Sequence, residues 1–226
     1  MTPDPPTPRQ TRRSRGRRQA GAPGAAAPSP EDIQDAYQRR AIAEIAALND
    51  EITTCERCHP DVELPVMSSG SPQAEIMLVK WSASLAERQE GVAYFGRAGT
   101  AILKSVQRLG IDPLMLYGTL CVKCTHLEPA DAARLCPAWL ARELQIVQPK
   151  LVVPMGEPVV DAINGLDYPL AEPLRPEPGV VQRWTPATEA LYVPDIDASL
   201  DEQSAKRAFW EAFRAIGDWH QAQPPY

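Results

Sequence analysis

The residues of this chain best placed to do chemistry are its five cysteines. Cys55-Glu56-Arg57-Cys58 sets two thiols close enough to share one metal centre, and Cys121, Cys124 and Cys136 follow in one later region. In a cytosolic chain, paired thiols at such short spacing are metal ligands or buried thiols more often than disulfides. Thiolates are soft ligands that suit Zn²⁺ or an iron–sulfur cluster. Two ligand sets compete. Cys55, Cys58, Cys121 and Cys124 make two CxxC pairs, which reads as tetrahedral zinc. Cys55, Cys58, Cys124 and Cys136 instead leave Cys121 as a buried thiol in a strand. Strand alternation leans to the second set, because Cys121 and Cys124 face one site only if the strand ends between them. The bland alternative is a scatter of small buried hydrophobes.

Other candidates are weaker. His59 and His126 lie beside cysteines, where solvated loop histidines are the ordinary finding. Asp195, Asp197 and Asp201 suggest a divalent-cation site or an acid–base pair, although such runs usually form turns and helix caps. Gly156 follows an apolar run and suits a phosphate-contacting turn. Trp210 and Trp219 read as packing residues.

These side chains need a scaffold, and the chain is long enough to bury a real core. It has 226 residues and a formal net charge of −6. The charge is uneven: residues 1–29 carry six arginines and one acid, a net +5, which leaves −11 for the rest. Residues 1–30 are rich in Pro, Arg, Gly and Ala, and read as a disordered basic tail that contacts a polyanion, if anything on this chain does. The acidic body disfavours tight non-specific duplex binding, which depends on phosphate contacts. No run of 18 apolar residues occurs and no signal-peptide core is visible, so a cytoplasmic protein without a membrane span is expected.

Residues 31–226 read as one domain. Ser29-Pro30-Glu31-Asp32 can cap a helix that carries the chain to Cys55. Strand-like runs occupy 75–81 (EIMLVKW), 115–122 (MLYGTLCV), 150–155 (KLVVPM) and 190–193 (ALYV). Helical patterns at 97–109, 130–147, 157–164 and 203–220 alternate with them, and the proline-rich link at 167–186 reads as irregular. This order predicts an α/β fold: three layers, α/β/α, around a central four-stranded, mostly parallel sheet.

Taken together, CxxC, a strand, Gly91-Val92-Ala93-Tyr94-Phe95-Gly96-Arg97-Ala98-Gly99, a strand ending Val122-Lys123-Cys124, a further Cys136 and then PKLVVPMG resemble the iron–sulfur uracil-DNA glycosylases, family 4 of that superfamily. The resemblance runs from about Glu31 to Trp219. It implies the uracil-DNA-glycosylase fold and a [4Fe–4S] cluster on Cys55, Cys58, Cys124 and Cys136, with Cys121 spare and zinc as the alternative. It also implies base binding at Tyr94, where the family's stacking phenylalanine stands, and at Gly96. The family's catalytic positions are replaced. Trp81 stands where the family has an acid, and it cannot act as a base. Lys80 and Ser84 replace glycines. Leu120 stands at the base-reading asparagine and carries no donor or acceptor. Asp195 stands at the histidine that stabilises charge on the uracil oxygen, and a carboxylate there opposes that charge.

The implied partner is DNA, single-stranded and damaged forms included. The expected function is DNA or nucleobase binding with standard uracil excision lost or altered. The alternatives are an active glycosylase of changed specificity in base-excision repair, and a structural or partner-binding protein stapled by the cluster.

Overall fold

The computed structural model describes residues 29–57, 64–124 and 136–224. The expectations for the basic tail, Cys58, His59 and His126 fall outside these residues.

Helix α1 (Pro30–Thr53) starts where its capping residues demand. The Ser29 hydroxyl accepts the Asp32 N–H at 3.1 Å, and the Asp32 carboxylate accepts the Ser29 N–H at 2.9 Å. Such a reciprocal cap satisfies two amides that the first helical turn leaves without partners. The chain continues through β1 (Ser69–Gly70), β2 (Ile76–Lys80), α2 (Leu85–Glu90), α3 (Arg97–Arg108), a 3₁₀ turn (Pro113–Met115) and β3 (Leu116–Leu120). After α4 (Pro137–Val147) come β4 (Leu151–Met155), α5 (Glu157–Asn164), β5 (Val181–Arg183), β6 (Glu189–Leu191), α6 (Ile196–Ser199), α7 (Gln203–Phe213) and α8 (Ala215–Ala222).

The sheet order is β1-β3-β2-β4-β6-β5. The four strands expected from sequence, β2, β3, β4 and β6, form its parallel centre. Two short antiparallel strands, β1 beside β3 and β5 beside β6, widen it to six. They escaped the sequence reading because Ser-Gly and Val-Gln-Arg carry no apolar run, and β5 lies inside the link taken as irregular. The α/β class stands. The helical pattern at 203–220 divides in two, with a tight turn at Arg214 between α7 and α8.

Every residue of β2, β3 and β4 is buried, as strands covered on both faces must be. Alternation assigns the faces. Ile76 and Leu78 of β2 pack with α3, α7 and α8, whereas Met77 and Val79 pack with α4 and α5. The chain therefore leaves β2 towards one face and the adjacent β4 towards the other. Such a switch opens a crevice at the carboxyl ends of the two strands, where α/β domains bind ligands. Register places Lys80 directly opposite Leu120 on one side and Met155 on the other, at the floor of that crevice.

Candidate functional site

Lys80 ends β2 with the same parity as Ile76 and Leu78, so its side chain points towards α3 and α6. It is 3 % exposed, and its ammonium lies 2.7 Å from Glu87 Oε2 and 2.5 Å from Asp197 Oδ2. Glu87 reaches it because Ser84-Leu85-Ala86-Glu87 is a capping box that starts α2. The same fully buried carboxylate accepts the Ser84 N–H at 2.7 Å and the Tyr94 N–H at 2.5 Å. A buried carboxylate this well supplied with donors fixes the Tyr94 turn from below, and Tyr94 holds a left-handed φ of 62°.

The Tyr94 ring lies across the strand ends. A Cβ on Gly118 of β3 would stand 2.5 Å from Tyr94 Cδ2, so only glycine leaves room for the ring there. The Tyr94 hydroxyl reaches Met155 Sδ of β4 at 3.5 Å, and the Lys80 ammonium stands 5.5 Å from the ring centroid, within cation–π range. Burial, reinforced by the nearby Glu87 carboxylate, holds the phenol well above its ordinary value, so it stays protonated. Gly96, the other expected base-binding residue, is the N-cap of α3 at φ 86°, and no side chain caps that helix.

Trp81 has the opposite parity to Lys80 and packs against the core beneath α4 and α5. Leu120 is fully buried in a small apolar group with Val66 and Ala93, flanked by Ala83 and Tyr94. Asp195 caps α6: its Oδ1 accepts the Asp197 N–H at 2.7 Å and the Ala198 N–H at 3.2 Å. Its Cβ stands 3.4 Å from where a Cβ on Gly156 would be, so Gly156 keeps the two segments in close approach. Burial raises the Asp197 carboxyl above the ordinary carboxylate value, against the lowering effect of Lys80. Lys80, Trp81, Asp195 and Asp197 line a cleft of about 490 Å³, together with Ser82, Arg97 and Asp201. Arg97 and Asp201 pair across it at 2.7 Å, both well exposed.

The cysteines divide into two kinds. Cys136 immediately precedes α4 and is buried. A hydrogen bond from Cys124 pushes its thiol down to about 6 against the effect of burial, and the Lys123 and Cys124 amides and the Lys123 ammonium act in the same direction. Cys121 is packed among Met77, Val79 and Leu140, and burial pushes its thiol up to about 12. A bound metal deprotonates the thiols that hold it, so position matters here: Cys136 reaches Cys124, whereas Cys121 is packed among β2 and α4 side chains. Cys55, at the end of α1, packs against Leu48, Ile52 and Trp139, and Trp139 lies in the first turn of α4 after Cys136. Among the described residues no three His, Cys, Asp or Glu side chains come together as a metal site. Three of the four proposed ligands lie at neighbouring element ends, and Cys58 lies outside the described residues.

Beside these thiols sits a second buried ion pair that the sequence reading did not single out. Lys123 Nζ lies 2.9 and 2.8 Å from the two Glu143 carboxylate oxygens and 2.5 Å from Thr119 Oγ1. Thr119 Oγ1 and Tyr117 OH each donate to Glu143, at 2.7 and 3.1 Å.

Strand order, switch-point cleft and thiol group together define a doubly wound α/β domain with a polar site at its strand ends and a sulfur-rich flank. The Uracil DNA glycosylase superfamily model matches residues 67–214, and the chain belongs to that superfamily. It is 28 % identical over 116 residues to a Type-4 uracil-DNA glycosylase of Sulfurisphaera tokodaii, a match covering 48 % of this chain and 53 % of the relative. A Type-4 uracil-DNA glycosylase of Pyrobaculum aerophilum is 22 % identical over 119 residues, covering 50 % and 61 %. The chain thus spans roughly half the length of the curated relatives it matches.

In sequence Lys80 stands out only as the replacement of a family glycine. A charged residue ending an apolar strand, followed by a Ser-x-x-Glu box, was the available signal. Asp197, 117 residues further on, gave none.

Proposed function

We propose that this chain binds DNA through a uracil-DNA-glycosylase scaffold on which standard uracil excision has been lost. The observation that carries the reading is the Lys80 network. The ammonium and its two carboxylates, with the Tyr94 ring beside them, replace the bare backbone that the family's glycine leaves at the strand ends, where a flipped base would sit. Leu120 offers no edge-reading group, Trp81 cannot act as a base, and Asp195 puts negative charge where an oxyanion would develop. Removing one preorganised oxyanion donor costs a glycosidic or acyl-transfer site roughly 10²–10³ in rate, and here a like charge replaces it. Purified protein is expected to release no uracil from single- or double-stranded uracil DNA, even at stoichiometric enzyme. Multiple turnovers in that assay would end this reading.

The cluster belongs to the same proposal. Cys55, Cys58, Cys124 and Cys136 would hold a [4Fe–4S] group, with zinc as the competing occupant. When bound, the group cross-links the end of α1, the exit from β3 and the start of α4, which supplies stability rather than chemistry at the cleft. The contact between Cys124 and Cys136, with Cys121 packed into the core, favours this ligand set over the one with two CxxC pairs. Anaerobically purified protein should be brown and contain iron; Cys121→Ser should keep the iron and Cys136→Ser should lose it. Stoichiometric zinc without iron would overturn the iron assignment.

One observation favours a second reading, an active glycosylase of changed specificity. The Asp197 carboxyl is raised by burial and still faces the cleft beside Asp195, as a water-handling acid would. This reading predicts base release from some damaged-base substrate, abolished by Asp195→Ala. A full panel of damaged bases without cleavage removes it. Binding of DNA that weakens when residues 1–29 are deleted would count against a purely structural role.

A further inference from the structure

We infer that a single DNA strand runs along α3, with a base stacked on Phe95 and phosphates held by Arg97, Lys104 and Arg108. The inference rests on the DNA-binding reading above and gives it a path and a strand type.

Three features adjoin at the start of α3. The first is the turn at 94–96. Glu87 holds the Tyr94 N–H from beneath, Tyr94 and Gly96 both have positive φ, and the two aromatic rings diverge. Tyr94 turns inward over Gly118, whereas Phe95 is left 47 % exposed on a fixed backbone. Val92, whose carbonyl accepts the Phe95 N–H, is exposed too. A rigidly presented exposed ring is an apolar surface without a ring or core partner among the described residues, and aromatic faces of this kind stack nucleobases irrespective of sequence.

The second feature is charge. Helix α3 carries Arg97, Lys104 and Arg108 and no acid. At about 100° per residue, positions 97, 104 and 108 fall within roughly 40° of one another, so the three cations form one stripe about 16 Å long. By contrast α1 carries six acids and two arginines. With −11 on residues 30–226, α3 is a local exception on an acidic body. Arg108 is over the Trp210 ring of α7 at 4.9 Å, a neutral partner that leaves its charge uncompensated. Arg97 is paired with Asp201, but both are exposed, and such a pair is worth too little to resist a phosphate.

The third is the start of α3. Gly96 caps it without a side chain, so its first amides have no side-chain acceptor, and the turn that displays Phe95 leads directly into them. Amides at a helix start favour an anion. Here they sit between the stacking ring and the first cation of the stripe, as a strand with alternating bases and phosphates requires. The partner is single-stranded because stacking needs an unpaired base face, and because one narrow stripe on an acidic body cannot embrace a duplex.

The test is fluorescence anisotropy with a labelled 15-nucleotide oligothymidine and the full chain, at two salt concentrations. The wild type should bind, more weakly at high salt, and should prefer this strand to a duplex of equal length. Phe95→Ala should weaken binding about tenfold, the loss of one stacked base. Phe95→Trp should keep the affinity, with its added indole fluorescence quenched on binding. Lys104→Glu with Arg108→Glu should weaken binding further and flatten the salt dependence. All of these positions are exposed, so thermal midpoints should match the wild type. Wild-type binding unaffected by Phe95→Ala and by the charge reversals overturns this path while DNA binding itself stands. Equal or tighter binding of the duplex overturns the strand type. No binding by the wild type removes both this inference and the reading beneath it.

Discussion

Lys80 and Lys123 lie at or just beyond the carboxyl ends of neighbouring parallel strands, and each meets a fully buried glutamate from the next described helix. Their surroundings differ in one respect. Lys123 meets one carboxylate, and the hydroxyls of Thr119 and Tyr117 together with the Leu120 carbonyl complete the set. One positive and one negative charge cancel, and the pair is sealed. Lys80 meets two carboxylates, and the second, Asp197, is 37 % exposed to the cleft. One ammonium is shared between two anions, one of them in reach of solvent. A closed pair like that of Lys123 supports the fold and offers the cleft nothing. An oversubscribed one at a cleft keeps a carboxylate able to change partners, which is the property a binding site needs.

The comparison can be broken by substitution, and the largest effect belongs to the sealed pair. Lys123→Met leaves the Glu143 charge buried without a cation, and should cost about 3–5 kcal/mol in urea unfolding. Lys123→Met combined with Glu143→Leu should recover much of that loss, because no lone charge remains. A single-variant cost near zero would show that the pair is not sealed.

Lys80→Met should cost less, about 1–3 kcal/mol by the same measurement, since Glu87 keeps two backbone donors and Asp197 can turn to water. A loss equal to that of Lys123→Met would erase the distinction between the two sites. The smallest effect concerns pH. The folded protein raises the Asp197 carboxyl, so it binds this proton more tightly than the unfolded chain does. The stabilisation from this group is therefore present below the ordinary carboxylate value of 3.8 and is lost as pH rises through the raised folded value. Asp197→Asn should remove that part of the slope in a pH series of unfolding midpoints, and an unchanged slope would assign it to other carboxylates.

Much of this molecule was legible in its sequence, for physical reasons. Ser29 and Asp32 announced α1, since a reciprocal cap needs only local residues. The parallel strands were legible because both their faces are buried, so they appear as unbroken apolar runs. Helix α5 was placed residue for residue at 157–164, between Gly156 and Gly165. The edge strands were not legible, because two or three residues paired on one side carry no pattern. At the site, Trp81, Leu120 and Asp195 could be placed by register alone, and strand parity sends Trp81 towards the α4–α5 face and Lys80 towards the α3–α6 face, both bordering the cleft. Glu87 and Asp197 reach Lys80 from 7 and 117 positions away, and only the tertiary fold brings such residues together.

The short antiparallel strands at the two margins of the sheet have a consequence for the protein in bulk. An exposed strand edge offers unpaired amides and carbonyls to another chain, and long flat edges seed assembly. Here β1 is two residues long and β5 three, and Val181, Arg183 and Gly70 are solvent-exposed. Gly70 approaches the Leu116 carbonyl so closely that a Cβ there would stand 2.2 Å from its oxygen. The long apolar strands that make the domain stable are thus shielded from copies of themselves, and the protein can be crowded without its sheet acting as a template for fibres.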